Sequence, residues 1–265
     1  MAQRPRSQAP LPLARADLGQ VRAVFTDVDG TLTTGWRLAS TTLRALERLK
    51  RSGVRVVLVS GRPAGWGQAW ARLLPVDGVI VENGALYFAP RPGGRLEKVY
   101  AQPAAARRAN RVRLAREVER ARRLVPGARL SGDSAYTDVD LALDYAEEAR
   151  LGSAAADVLE RRLTSRGVSA VRSSVHVNCW VGRFDKLSAV RRFLKREWKL
   201  SLRRPDPRFV YCGDSLNDEP MFEGFSLSVG VANVLDVLPK LAHPPAYVTR
   251  RREGAGFEEL ARALS

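Results

Sequence analysis

Cysteine is nearly absent from these 265 residues: only Cys179 and Cys212 occur, each inside an apolar, strand-like run. Two isolated thiols support neither a disulfide scaffold nor a zinc site, and they suit a reducing, cytoplasmic setting. Long hydrophobic runs are missing as well, so no membrane-spanning segment is expected. The first residues scatter Arg4, Arg6 and Arg15 among Pro and Ala without the apolar block of a secretory signal, and 1–19 is expected to be a flexible tail. Lysine is scarce too, at 50, 98, 186, 195, 199 and 240, yet 44 basic against 28 acidic residues give a formal charge of +16. The cations are overwhelmingly Arg. A balance of that sign favours anionic partners, whether phosphorylated metabolites, nucleic acid or acidic surfaces, and does not choose among them. Zinc-finger spacing, an RNP aromatic pattern and a basic-zipper heptad are all lacking, so a solvated Arg-rich surface is the plainer reading than a nucleic-acid footprint.

What is present is an alternating pattern. Strand-like apolar runs at 21–25, 54–59, 78–81, 208–212 and 226–231 alternate with helix-like segments at 41–52, 66–74, 186–198, 216–223 and 234–241. Such alternation predicts an α/β fold, a Rossmann-like parallel sheet covered by helices. The pattern pauses between about 86 and 183, where two amphipathic helices, 104–125 and 153–166, are interleaved with strictly alternating segments. This middle third reads as an inserted α+β domain. The predicted division is a core of 20–87 and 184–265 with an insert of 88–183, crossing near the turn-rich Ala89-Pro90-Arg91-Pro92-Gly93-Gly94 and near Gly182.

Within the insert, alternation can be read face by face, because successive strand side chains point to opposite sides. Over 138–145, Val139, Leu141, Leu143 and Tyr145 share one side, and Asp138, Asp140, Ala142 and Asp144 the other. Over 174–181, Val175, Val177, Cys179 and Val181 oppose Ser174, His176, Asn178 and Trp180. Helices can cover the apolar side. The polar side either looks into a cleft, with Asp140, Asp144, His176 and Asn178 as substrate contacts, or is merely solvated.

Four motifs fall where core strands end, which is where open α/β sheets place ligands. Asp27-Val28-Asp29-Gly30-Thr31-Leu32 follows the first strand with two carboxylates two residues apart, one able to attack phosphorus and the other to handle a proton. Ser60-Gly61-Arg62 follows the second, offering a hydroxyl and N–H groups to a phosphate oxygen. Lys186 opens a helix just after the insert, where its ammonium can neutralise phosphate. Gly213-Asp214-Ser215-Leu216-Asn217-Asp218 adds two carboxylates on a tight turn, an oxygen-only set that suits Mg²⁺ better than a softer metal.

In this order the four motifs resemble the haloacid dehalogenase superfamily of phosphotransferases. The insert after the second motif, preceded by Glu82-Asn83-Gly84-Ala85, is similar to the branch with a large α/β cap: Cof-like, sucrose-phosphatase-like and mannosyl-3-phosphoglycerate-phosphatase-like enzymes. The likeness covers roughly 20–262. It implies Asp27 as the nucleophile that becomes phosphorylated and Asp29 as general acid and base. It implies phosphate binding by Thr31, Ser60, Gly61, Lys186 and Asn217. Mg²⁺ would be held by Asp27, the Asp29 backbone carbonyl and Asp214, with Asp218 ordering that shell. The expected activity is a Mg²⁺-dependent phosphatase acting on a small phosphorylated metabolite, a sugar or polyol phosphate. Alternatives are a sugar phosphomutase and a nucleic-acid-binding protein on the same fold. The oligomeric state stays open.

Overall fold

The computed structural model describes residues 9–265 with the exception of Ser174, so the expected place of Ser174 on the polar strand face lies outside the described residues. In chain order the strands are β1 (Leu11–Pro12), β2 (Ala23–Thr26), β3 (Arg55–Val59), β4 (Gly78–Val81), β5 (Leu86–Pro90) and β6 (Leu96–Tyr100). Then come β7 (Arg129–Leu130), β8 (Leu141–Asp144), β9 (Ser169–Arg172), β10 (His176–Trp180), β11 (Phe209–Gly213), β12 (Leu227–Gly230) and β13 (Tyr247–Val248). The α-helices are α1 (Ser40–Arg51), α2 (Ala64–Leu73), α3 (Ala104–Arg122), α4 (Gly152–Thr164), α5 (Lys186–Phe193), α6 (Glu219–Gly224) and α7 (Glu253–Ala263).

Nine strands form one sheet in the order β1-β13-β12-β11-β2-β3-β4-β5-β6, parallel except for the antiparallel β5 and β6. The register sets the tips of the central strands side by side: Thr26 faces both Cys212 and Leu58. Residues that follow β2, β3 and β11 therefore emerge together at one rim. Along β2 the side chains alternate between two separate apolar layers. Val24 joins Leu46, Leu49 and Phe257 on one face of the sheet, while Phe25 joins Phe193, Phe209 and Phe225 on the other. That two-sided burial is why these strands read as continuous apolar runs.

A second sheet, β7-β8-β10-β9, is antiparallel and lies wholly between β6 and α5 in the chain. Leu141, Leu143, Val177 and Cys179 pack under Leu114 and Val118 of α3 and Leu159 and Leu163 of α4.

Several expectations need correction. The turn at 89–94 is not a crossing point. It closes the hairpin of β5 and β6, which extends the main sheet, so the inserted segment starts after Tyr100 and not at residue 88. Pro90 and the two glycines mark a reversal, and composition alone does not distinguish a hairpin from a linker. Of the expected tail, residues 1–8 lie outside the described residues, but Leu11–Pro12 pairs with Tyr247–Val248 and Leu13 is buried in the core. The segment 234–241 forms two short 3₁₀ turns, Ala232–Asp236 and Leu238–Lys240, because Pro239 breaks the α pattern. The strand expected from 138 begins at Leu141: the N–H groups of Asp138, Val139 and Asp140 go to the carboxylate of Glu82 instead of to a neighbouring strand.

Phe193 is fully buried, edge-on to Tyr87 at 5.2 Å and to Trp198 at 5.2 Å, beneath the centre of the main sheet. Phe193→Ala is expected to cost about 3–5 kcal/mol of stability. Urea unfolding of the two proteins checks this, and a loss below 1 kcal/mol would contradict the packing described.

Candidate active site

Asp27 continues directly from β2, its N–H donating to the Cys212 carbonyl at 2.8 Å. The chain then turns sharply at Gly30 (φ +79°), where a β-carbon would stand 2.7 Å from Asp214 Oδ2. Glycine is required there because the first and last motifs touch. Lys186 is the first residue of α5, whose start is fixed by Asp185: its carboxylate accepts from Ser188 N, and the Ser188 hydroxyl closes the capping box. So placed, the buried Lys186 Nζ lies 2.8 Å from Asp27 Oδ1 and 2.6 Å from Asp218 Oδ1.

Asp27, Asp214 and Asp218 each bring a carboxylate oxygen within 4.8 Å of the others. Such crowding needs donors, and several elements supply them. Thr31 Oγ1 donates to Asp214 Oδ1 at 2.8 Å, and Asn233 Nδ2 to Asp214 Oδ2 at 2.8 Å and to the Gly30 carbonyl at 3.0 Å. Asp218 accepts from the Tyr211 hydroxyl and from the N–H groups of Asp214 and Ser215. The charge is still not balanced. Burial raises Asp27 well above the usual carboxylate range, against the pull of Lys186, and Asp218 and Asp214 add to the rise. Burial and then the Asp218 carboxylate push Asp214 up to about 7. Burial disfavours the Lys186 ammonium, but Asp218 and Asp27 outweigh it and keep it charged. Three close, oxygen-only ligand groups under this repulsion fit a hard divalent cation such as Mg²⁺.

Asp29 points elsewhere. Its Oδ2 accepts from Arg62 Nε at 3.0 Å, and its side chain does not join the acidic trio. It lines a cavity of about 40 Å³ between the main sheet's rim and the insert, together with Asp27, Gly61, Arg62, Asp133, Asp140, His176, Asn178 and Asn217. Of the four insert residues named from the strand pattern, Asp140, His176 and Asn178 are in that lining. Asp144 is not. Its carboxylate accepts the N–H groups of Ala146, Glu147, Glu148 and Ala149, and although burial alone would raise it, these bonds hold it below the usual range. Asp144 shapes a loop, which the strand alternation could not reveal. Thr31 is likewise not a cavity residue: its hydroxyl is buried against Asp214. Ser60 sits just behind the lining, with Oγ accepting from Arg62 N at 3.0 Å. Gly61 eases close packing on both sides, since a β-carbon there would meet Asn83 of the neighbouring turn at 3.0 Å and Asn178 of the insert at 3.4 Å.

Sequence reasoning gave no role to several contributors. Arg62 reaches Asp29, Asp133 and Glu147 at once, with the rings of Trp36 and Trp66 at 5.5 and 5.9 Å. His176 Nε2 stands 2.8 Å from Glu147 Oε2. Arg62 lay in view, two residues past Ser60. Asp133, Glu147 and Asn233 carry no local signal, because only the tertiary fold brings them here.

Lys186 stands between two buried carboxylates, so Lys186→Met is expected to cost about 3–5 kcal/mol, the usual penalty for stranding a buried charge. Urea unfolding without added metal measures it. Stability equal to the parent would show that the ammonium is not needed there.

Comparison with known proteins follows the same lines. Residues 24–106 match the model of the haloacid dehalogenase-like hydrolases. A phosphoglycolate phosphatase from Pyrobaculum aerophilum is 38% identical over 68 residues, which is 24% of this chain and 30% of that relative's length. Among solved structures, a Thermoplasma acidophilum protein, 0175, is 20% identical with a TM-score of 0.71 over 92% of this chain and 98% of its own. The C-terminal domain of a C. albicans trehalose-6-phosphate phosphatase is 17% identical with a TM-score of 0.67, covering 92% of each chain. A Synechocystis sucrose-phosphatase is 16% identical with a TM-score of 0.60, over 92% of this chain and 98% of its own. The stretch that holds the first two motifs is thus similar to the haloacid dehalogenase-like hydrolases, and the fold is shared with these solved structures over nearly the whole length of the chain.

Proposed function

We propose that this protein is a phosphatase that hydrolyses a small phosphorylated metabolite, a sugar or polyol phosphate, through a phosphorylated Asp27. The observation that carries the reading is the seating of Asp27. Its carboxylate is buried against Lys186, flanked by Asp214 and Asp218, and open to a cavity that also holds Asp29. The phosphatase names of the relative and of the structural neighbours support it.

In this reading an Asp27 oxygen attacks phosphorus as the bond to the leaving alcohol breaks, and Asp29 gives that alcohol a proton. Water then attacks the acyl phosphate, Asp29 takes its proton, and inorganic phosphate leaves. Lys186 offsets charge on the transferring group, while Gly61 and Asn217, which line the same cavity, hold phosphate oxygens in this reading. Mg²⁺ held by Asp27 and Asp214, with Asp218 ordering the loop, would supply electrostatic stabilisation of the phosphoryl group. The insert acts as a cap: its Asp140, His176 and Asn178 present hydrogen-bonding groups to the alcohol part, and their polar character favours a hydroxyl-rich leaving group.

Purified protein with Mg²⁺ is expected to release phosphate from members of a monoester panel of sugar, polyol, glycerate and nucleotide phosphates. Asp27→Asn should lower the rate by about three orders of magnitude or more. A silent panel, or an active Asp27→Asn, rules the reading out; isomerised sugar phosphate without free phosphate would identify a mutase. Independently of turnover, saturating Mg²⁺ is expected to raise the thermal midpoint, with about 2.7 kcal/mol of stabilisation at a hundredfold excess over Kd. Asp214→Asn should remove most of that increment, and a midpoint indifferent to Mg²⁺ would contradict the assignment of the acidic trio.

A further inference from the structure

The turn Glu82-Asn83-Gly84 takes no part in the chemistry above, yet it touches three of the segments that carry it. All three residues are left-handed, with φ of +49°, +53° and +97°. Two consecutive non-glycine residues in that region are unusual and persist only where surrounding contacts hold them. The contacts are specific. The Glu82 N–H donates to the Arg62 carbonyl at 3.0 Å and the Asn83 N–H to the Ser60 carbonyl at 3.3 Å, so the backbone of the turn grips the Ser60–Arg62 loop. At Gly84 a β-carbon would stand 2.2 Å from the Asp185 carbonyl, directly before Lys186.

The Glu82 side chain faces the other way and is wholly buried. Its Oε1 accepts from Ala64 N at 2.9 Å and Asp138 N at 2.8 Å, and its Oε2 from Val139 N at 2.7 Å and Asp140 N at 3.0 Å. One carboxylate thus joins the first turn of α2, which has no side-chain cap of its own, to the segment that leads the insert into the cavity. Asn83 adds a bond from Nδ2 to Asp140 Oδ2 at 3.2 Å. Lys98 and Tyr100 also hold this segment through the Asp138 carboxylate, and Arg111 holds it through the Thr137 hydroxyl and the Asp140 carbonyl, while the N–H groups of Val139 and Asp140 go to Glu82.

We propose that Glu82 is a positioning residue whose buried carboxylate sets where the insert stands over Asp27 and Asp29. A carboxylate suits the task because it is acceptor-only and can take two N–H donors on each oxygen. Glutamine fits the same space but turns a donor toward two donors. Aspartate keeps the acceptors on a stem one methylene shorter.

The test is amide hydrogen exchange on the full chain, comparing wild type with Glu82→Gln and Glu82→Asp. Exchange at Val139 and Asp140 should quicken by about tenfold or more in Glu82→Gln, as expected for the loss of charge-assisted bonds, and by less in Glu82→Asp. Amides of β2 and β11 should stay as they were. Unchanged exchange at Val139 and Asp140 overturns the proposal, and so does equal acceleration in both sheets, which is the mark of a general stability role. If Glu82→Gln does not fold, the wild type decides: protection of these two amides at the level of β2 supports the proposal, and exchange at the rate of an unstructured peptide overturns it. The kinetic arm rests on the phosphatase reading and uses p-nitrophenyl phosphate. In Glu82→Gln, kcat should fall by about tenfold through misplacement of the cavity walls, while the Mg²⁺-dependent rise in thermal midpoint is kept because the acidic trio is untouched. An unchanged kcat, or loss of the Mg²⁺ response, counts against positioning. If the wild type releases no phosphate from any ester, the phosphatase reading falls while the exchange result still stands on its own.

Discussion

Mutual repulsion of Asp27, Asp214 and Asp218 is the constraint around which the rest of the rim is arranged. Their oxygens gather within 4.8 Å in a place water reaches poorly, where like charges cost most. Each donor that makes this tolerable comes from a different segment: Lys186 from the start of α5, Tyr211 from β11, Thr31 from the turn after β2, and Asn233 from beyond β12. A parallel sheet brings such segments together because every central strand delivers its following loop to the same edge. The fold thereby answers an electrostatic requirement that no single helix or hairpin could meet.

The insert answers a different requirement. A rim of crowded acids open to water would have its field weakened by solvent. The second sheet closes over it with a polar face, and the fit is close: a β-carbon at Gly61 would stand 3.4 Å from Asn178. Arg62 bridges the two bodies, binding Asp29 on one side and Asp133 and Glu147 on the other. Its charge lets carboxylates from both sides face one narrow cavity.

The legible and illegible parts of the sequence divide along physical lines. The core strands, α1 and α5 were readable because two-sided burial and helical spacing are local patterns. The four acidic and basic motifs were readable because each sits within a few residues of a strand end or helix start. Asp144 misled because alternation assigns a face and not a partner; four backbone N–H groups claimed its carboxylate. The β5–β6 hairpin was taken for a domain crossing because Pro and Gly mark reversals of either kind. Asn233, Asp133 and Glu147 were invisible, since their importance arises only from neighbours distant in the chain.

Glu82 joins these two classes. Its motif was visible, but a glutamate in a turn reads as solvated, and nothing local says that four N–H groups surround it. Burying a carboxylate is costly unless its lone pairs are filled, so its environment is informative about what it does. Two of its donors, Asp138 and Ala64, share one oxygen although they belong to different bodies, and neither body alone satisfies the group. Separating the insert from the rim at this point would leave a buried charge half-paired. The strain in residues 82–84 is consistent with that coupling: the backbone holds an unfavourable conformation because relaxing it would release the Ser60–Arg62 loop on one side and the insert on the other.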